Sequence, residues 1–176
     1  MCGFTGSVSV QPIDNSLIDE AHKYIDCRGP DAKCHIERKY DIYNLNFWFN
    51  RLSILDLSAE ANQPMYSKDF KTMVMFNGEI YNHADLRQDL QKQGQKFYTS
   101  HSDTETLLVG LSYYGINFIN KLRGQFAIAF FDERKLELTL IRDRLGQKPL
   151  YYFLDNENIH FGSSLLSLLK ITKEYK

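Results

Sequence analysis

Cys2 stands directly after Met1, and of all residues in the chain its type and position combine most directly into chemistry. Cysteine is small enough that removal of Met1 is expected, which would leave a thiol and a free α-amino group on one residue. An α-amino group titrates at about 7.7 to 8.0, so near neutral pH part of it is unprotonated and can accept the thiol proton. An N-terminal amine serving as base for its own side chain is an established way of activating a nucleophile. If Met1 were retained, that amine would be lost and the chain would be poorly active. Cys27 and Cys34 suggest no disulfide framework or zinc set with Cys2, and they read as small buried thiols. The five histidines show no metal-ligand spacing.

The elements that must carry this residue follow from periodicity. Residues 3–10 read as a strand, with β-forming types at Phe4, Ser7, Val8 and Val10, so Cys2 falls at a strand start. Leu17, Ile18, Ala21 and Ile25 recur at helical spacing from Asn15 to about Tyr24, with Asn15 as the cap and Gly29-Pro30 as the stop. The stretch His35 to Leu55 alternates in the β manner, and Thr72 to Phe76 is a short apolar run. Asn82 caps a helix carrying Leu86 and Leu90 and ending at Gly94. Ser102 and Glu105 have the spacing of a capping box before Leu107, Leu108, Leu111 and Tyr114, and Gly115 closes that helix. Phe126 to Phe131 and Leu136 to Ile141 read as a hairpin, and Tyr151 to Phe153 with Ile159 to Phe161 as a last pair. Strands, helices, then strands again, without regular β-α-β alternation, fit an α+β fold of antiparallel sheets with helices on their outer faces.

The 176 residues suit one domain able to bury a core without metals or disulfides. Net charge is −1 and the basic residues are scattered singly, which speaks against a nucleic-acid surface. A secretory leader and a membrane-length apolar run are both lacking, so a cytoplasmic protein is expected.

Several strings carry a resemblance. Cys2-Gly3-Phe4-Thr5-Gly6, Arg28-Gly29-Pro30-Asp31, Arg51 to Leu57, Phe76-Asn77-Gly78-Glu79-Ile80-Tyr81-Asn82-His83, Ser102-Asp103-Thr104-Glu105 and Arg142 to Tyr152 occur in this order along nearly the whole chain. Together they resemble the glutaminase domain of asparagine synthetases and their close relatives. The resemblance implies a four-layer α/β/β/α sandwich of antiparallel sheets, the N-terminal-nucleophile hydrolase fold, over 1–176. It makes Cys2 the nucleophile that forms a γ-glutamyl thioester, with its own amine as base. The Asn77 amide and the Gly78 N–H would form the oxyanion hole. Arg51 would grip the α-carboxylate of L-glutamine and Asp103 and Glu79 its α-ammonium, with Leu52 and Ile54 completing the substrate site.

Left to themselves, several of these residues read more plainly: Arg51 as a solvated charge at a strand end, Asp103 as a helix-cap residue, Asn77-Gly78 as a hairpin turn. His83 and His101 read as surface or capping residues. Arg28, Asp31, Arg142 and Asp143 read as structural ion pairs or as residues shaping the substrate loop. No cofactor is expected for the glutaminase half; ATP and Mg belong to a synthetase domain whose Ser-Gly-Gly-x-Asp-Ser loop this chain lacks. Such a domain would lie in the same or a separate chain, and a homodimer is left open. Phe161-Gly162-Ser163-Ser164 departs from the family's Ala-Ser-Glu type string. The ammonia acceptor could be aspartate or another carboxylate such as a sugar acid, and a glutamine-binding module without turnover is the reading of a different class.

Overall fold

The computed structural model describes residues 2–53, 57–155 and 157–172. Two antiparallel sheets form the centre. The first contains β1 (Gly3–Ser9), β2 (Ala32–Tyr40), β3 (Tyr43–Arg51), β8 (Tyr151–Leu154) and β9 (Ile159–Gly162), in the order β2-β3-β1-β9-β8. The second contains β4 (Met65–Ser67), β5 (Thr72–Ile80), β6 (Gly124–Asp132) and β7 (Glu137–Arg142), in that order. Helices α1 (Asn15–His22) and α4 (Leu165–Ile171) cover the first sheet, and α2 (His83–Lys92) and α3 (Asp103–Tyr114) cover the second.

Side-chain alternation explains the layering. Phe4 on β1, Leu45, Phe47 and Phe49 on β3, and Phe161 on β9 face Met73 and Met75 on β5 and Ala127, Ala129 and Phe131 on β6, forming the core between the sheets. The intervening β5 residues Val74, Phe76 and Ile80 face the other way, onto Leu86, Leu90, Leu107, Leu108 and Leu111 of α2 and α3. On the outer face of the first sheet, Trp48 meets Ala21 of α1 and Ile171 of α4. The result is the α/β/β/α sandwich expected from the sequence.

Several local features differ from that expectation. The described part of the His35 to Leu55 stretch contains two strands, β2 and β3, because the chain reverses at Asp41, which takes the left-handed conformation (φ 53°) that Asp tolerates and no Gly or Pro marks. Asp14, not Asn15, caps α1, accepting from the Ser16 N–H at 2.8 Å. That helix ends at His22 because Tyr24 and Ile25 bond three residues back and tighten the chain. Asn82 sits at the cap position of α2, yet its side chain serves another loop, donating to the Lys121 carbonyl and accepting from the Arg123 N–H. Only half of the expected capping box forms: Ser102 accepts from the Glu105 N–H at 3.3 Å, while the Glu105 carboxylate turns to the Tyr98 and Thr99 N–H groups and the Thr99 hydroxyl. The atypical Ser163-Ser164 pair has structural work. Ser163 exchanges hydrogen bonds with the backbone of Phe4, and Ser164 caps α4, a helix the sequence reading did not find. Cys27 is exposed and Cys34 half-buried, so neither is the buried thiol expected.

Candidate active site

The edge of β5 that faces away from β6 organises the site. Backbone groups of alternate residues point to the same side of a strand. Along this edge the Phe76 N–H donates to Gln63 Oε1 at 2.6 Å, and the Ile80 N–H donates to Asp103 Oδ2 at 3.2 Å. Gly78 lies between them, so its N–H points the same way. Its register partner Phe126 confirms the direction, since both backbone groups of Phe126 are taken by Asp143 on the far side. The Gly78 N–H therefore opens into a cavity of about 70 Å³ lined by Cys2, Arg51, Leu52, Gln63, Gly78, Glu79, Asp103 and Thr104, among others. Only glycine serves at this position, because a Cβ there would lie 2.1 Å from the Gln125 carbonyl oxygen.

Cys2 enters the cavity from the start of β1. Its sulfur lies 3.4 Å from the Leu52 N and 3.6 Å from the Leu52 carbonyl oxygen. Its own carbonyl accepts from Arg28 Nε at 3.1 Å. With its amide turned so that nitrogen meets acceptor, Asn77 donates to the same carbonyl at 3.2 Å and accepts from Arg28 at 3.3 Å. Burial pushes the Cys2 thiol up, against the smaller opposing pull of the Leu52 N–H and the Arg51 charge. The resting group is thus a thiol, and attack by the sulfur requires a base to take its proton.

Arg51 ends β3 and is 7% exposed, which rules out the solvated charge that its position at a strand end would otherwise suggest. Its Nη1 donates to the Ser58 carbonyl at 2.7 Å and to Asn62 Oδ1 at 2.8 Å. The Arg28-Gly29-Pro30-Asp31 segment secures this strand end. Gly29 packs where a Cβ would meet the Asn50 carbonyl oxygen at 2.1 Å, the Asp31 N–H donates to the Arg51 carbonyl, and Asp31 accepts from the Ser53 N–H at 2.7 Å. Asp103 is the first residue of α3 and not its cap, a place that Ser102 takes. Burial raises the Asp103 carboxyl above its ordinary range, offset in part by the Ile80 N–H, His83 and the Thr104 N–H, and reinforced by the charge of Glu79.

Of the residues singled out from the sequence, Cys2, Arg51, Leu52, Gly78, Glu79 and Asp103 line this one cavity. Asn77 does not line it. Its side chain points between the sheets and braces Cys2 from behind. Nor do Asn77 and Gly78 form a hairpin turn, since both are paired inside β5. Ile54 and Met1 lie outside the described residues. Among the described residues Arg28, Asp31, Arg142 and Asp143 form no ion pair with one another: Arg28 donates to the Cys2 carbonyl and the Asn77 amide, Asp31 accepts from the Ser53 N–H, Arg142 donates to the carbonyls of Gly146 and Lys148, and Asp143 accepts from the N–H groups of Phe126, Leu145, Gln147 and Lys148. Sequence reasoning missed Asn62, Gln63 and Thr104. The signal available was Asn62-Gln63-Pro64, two amides side by side among otherwise apolar core positions.

The profile of the family described as "Glutamine amidotransferase domain" matches residues 1–175. The chain belongs to this family. It is 36% identical over 174 residues to "Asparagine synthetase [glutamine-hydrolyzing] 1" of Bacillus subtilis (strain 168), covering 96% of this chain and 27% of that protein. It is 35% identical to "Amidase chyE" of Penicillium rubens, covering 87% of this chain and 22% of that one, and 30% identical to a putative asparagine synthetase of Methanocaldococcus jannaschii, covering 97% and 35%. The chain thus spans between a fifth and about a third of the length of these relatives. Among solved structures, the glutamine phosphoribosylpyrophosphate amidotransferase from B. subtilis superposes with a TM-score of 0.74 at 17% identity, covering 98% of this chain and 44% of that one. This likeness is one of fold. Glutamine amidotransferase domains belong to enzymes, and no helix among the described residues is long and apolar enough to cross a membrane.

Proposed function

We propose that this amidotransferase domain hydrolyses L-glutamine to L-glutamate and ammonia through a thioester on Cys2. With Met1 removed, the amine of Cys2 takes the thiol proton as the sulfur attacks the side-chain amide carbon of glutamine. The oxyanion that forms is stabilised by the Gly78 N–H and by the Asn77 amide, which must swing from its place behind Cys2 to reach it. The carbon–nitrogen bond then breaks, and the protonated amine returns its proton to the leaving nitrogen, which departs as ammonia. Water attacks the γ-glutamyl thioester, the carbon–sulfur bond breaks, and the sulfur regains a proton. Arg51 pairs with the α-carboxylate, and Asp103 and Glu79 hold the α-ammonium, so that an amino acid is recognised by both its charges. Leu52 flanks the substrate.

One observation carries this reading: a cavity that contains the Cys2 sulfur and the ligand-facing Gly78 N–H also contains one buried cation and two carboxylates. The ammonia serves an ATP-dependent amide-forming domain in the same or a separate chain, of the kind the much longer relatives are named for. Aspartate is the first candidate acceptor, and a sugar acid or another carboxylate the alternative, because the residues that choose it lie outside this domain. The domain itself needs no metal or cofactor for the steps above. Protein whose N-terminus is shown by mass to be Cys2 should release ammonia from glutamine. Glutamine binding without ammonia release would instead identify a binding module.

A further inference from the structure

The partners along the β5 edge read, in order, as β4 at Val74, the Gln63 side chain at Phe76, the cavity at Gly78 and the Asp103 carboxylate at Ile80. Gln63 thus takes the place of a missing strand. Its Oε1 accepts from the Phe76 N–H at 2.6 Å, and its Nε2 donates to the Phe76 carbonyl at 3.2 Å, closing a ring of two hydrogen bonds on one residue's backbone. The same Nε2 lies 3.3 Å from Thr104 Oγ1, on the residue that follows Asp103. Gln63 is 5% exposed and Thr104 5%, and both line the cavity. Gln63 also follows Asn62, whose side chain accepts from Arg51 at 2.8 Å. A single amide therefore ties together the segment carrying the Arg51 anchor, the strand carrying the Gly78 N–H, and the helix start carrying Asp103.

We infer that Gln63 is a positioning residue for hydrolysis, which sets the Gly78 N–H relative to the Cys2 sulfur and Asp103 by supplying both halves of a strand-like pair to Phe76. The inference rests on the hydrolase reading above. Its chemical core is that the group at position 63 must both accept from the Phe76 N–H and donate to the Phe76 carbonyl, a demand that packing alone does not make. Because the Gly78 N–H meets its charge only in the transition state, loss of position should lower kcat more than it raises KM.

The deciding variants are Gln63→Leu and Gln63→Glu, assayed for ammonia release from glutamine with the full chain. Gln63→Leu should lower kcat by about tenfold or more with KM changed by less than about threefold. Gln63→Glu separates hydrogen bonding from shape. As a carboxylate it can only accept, and it faces the Phe76 carbonyl with like polarity. As a neutral acid it can accept and donate as the amide does. The ratio of its kcat to that of the wild type should therefore rise as pH is lowered from about 8 to about 5.5, with burial and the nearby Asp103 holding the new acid protonated into that range. A ratio flat with pH, or a Gln63→Leu enzyme with wild-type kcat, would overturn the inference. If Gln63→Leu fails to fold, the pH dependence of the Gln63→Glu ratio decides. Amide hydrogen exchange keeps the two readings apart: a Phe76 N–H exchanging no faster in Gln63→Leu, which has no acceptor for it, than in wild type sinks the positioning role whatever the activity, whereas a wild-type protein that binds glutamine and releases no ammonia sinks the hydrolase.

Discussion

Asp103 is held in a costly state. Its carboxyl is buried and raised, and the Ile80 N–H is its one hydrogen-bond donor from β5. Desolvation of a charge that awaits a cationic ligand is a common source of tension between stability and function. Asp103→Asn keeps an oxygen for the Ile80 N–H and removes the charge. It should melt at a higher temperature than wild type at pH 7 and bind glutamine at least about tenfold more weakly, since the proposed ammonium site loses one of its two carboxylates. A lower melting temperature, or unchanged glutamine affinity by calorimetry, would remove Asp103 from the ammonium site. At this scale Asn77 braces the Cys2 carbonyl, and the proposed mechanism gives it a second duty as donor to the oxyanion. Asn77→Ala should lower kcat by about 10² to 10³ with little change in KM, measured by ammonia release. An unchanged kcat would leave Asn77 as a brace only.

At the scale of elements, the start of α3 is tied to the loop before it by Glu105, a residue 4% exposed whose carboxylate takes the Tyr98 and Thr99 N–H groups, the Thr99 hydroxyl and an ion pair with Arg87 at 3.5 Å. Arg87 is itself stacked over Phe97 and donates to the Thr99 carbonyl. Removing one partner of such a pair leaves the other charge buried, so Glu105→Ala should lose about 3 to 5 kcal/mol in urea unfolding. A loss under about 1 kcal/mol would show that the loop before α3 adapts without it. This role was hidden in the sequence. Ser102 and Glu105 stand at the spacing of a capping box, and nothing local shows that the carboxylate turns to Tyr98 and Thr99 instead of back to Ser102. The helix start itself was legible because Ser102 and the Leu107, Leu108, Leu111 spacing are local signals. The same holds for Cys2, Arg51, Gly78 and Asp103, which belong to strings that resemble a known family. Gln63 was not legible, since its meaning depends on an open strand edge that exists only once β5 has paired with β6 and left its other side uncovered above β4. Likewise the two-sided burial of β3 blurred the alternation that would have shown its hairpin with β2.

At the scale of the whole molecule, the outer face of the first sheet differs from the inner one. Ser7 Oγ, His22 Nε2 and His160 Nδ1 are buried there without a hydrogen-bond partner among the described residues. Burial lowers both histidines, with Asp26 opposing at His22 and Asp155 at His160. A histidine depressed in the folded state is neutral in both states above the unfolded value of about 6.5, and below that the unfolded chain takes up the proton first. These two therefore contribute stability that is present above about pH 6.5 and lost as pH falls through their folded values. Asp103 acts with the opposite sign, because its raised carboxyl gains protons in the folded state first and stabilises the fold as pH falls. In an Asp103→Asn background, unfolding free energy should thus decline between about pH 6.5 and 5, and His22→Gln with His160→Gln should flatten that decline. An equal slope in the histidine variants would locate the acid sensitivity elsewhere.

The central claim is that the sulfur of Cys2, on a residue with a free amine, meets glutamine in this cavity. The most direct measurement is peptide mapping by mass spectrometry after exposure to a glutamine-analogue diazo-ketone, on protein whose first residue is confirmed as Cys2. The account predicts one adduct, on Cys2, prevented by excess glutamine and absent from Cys2→Ala. Adducts on the exposed Cys27 or on Cys34 in place of Cys2, or labelling of Cys2 that glutamine does not slow, would contradict it.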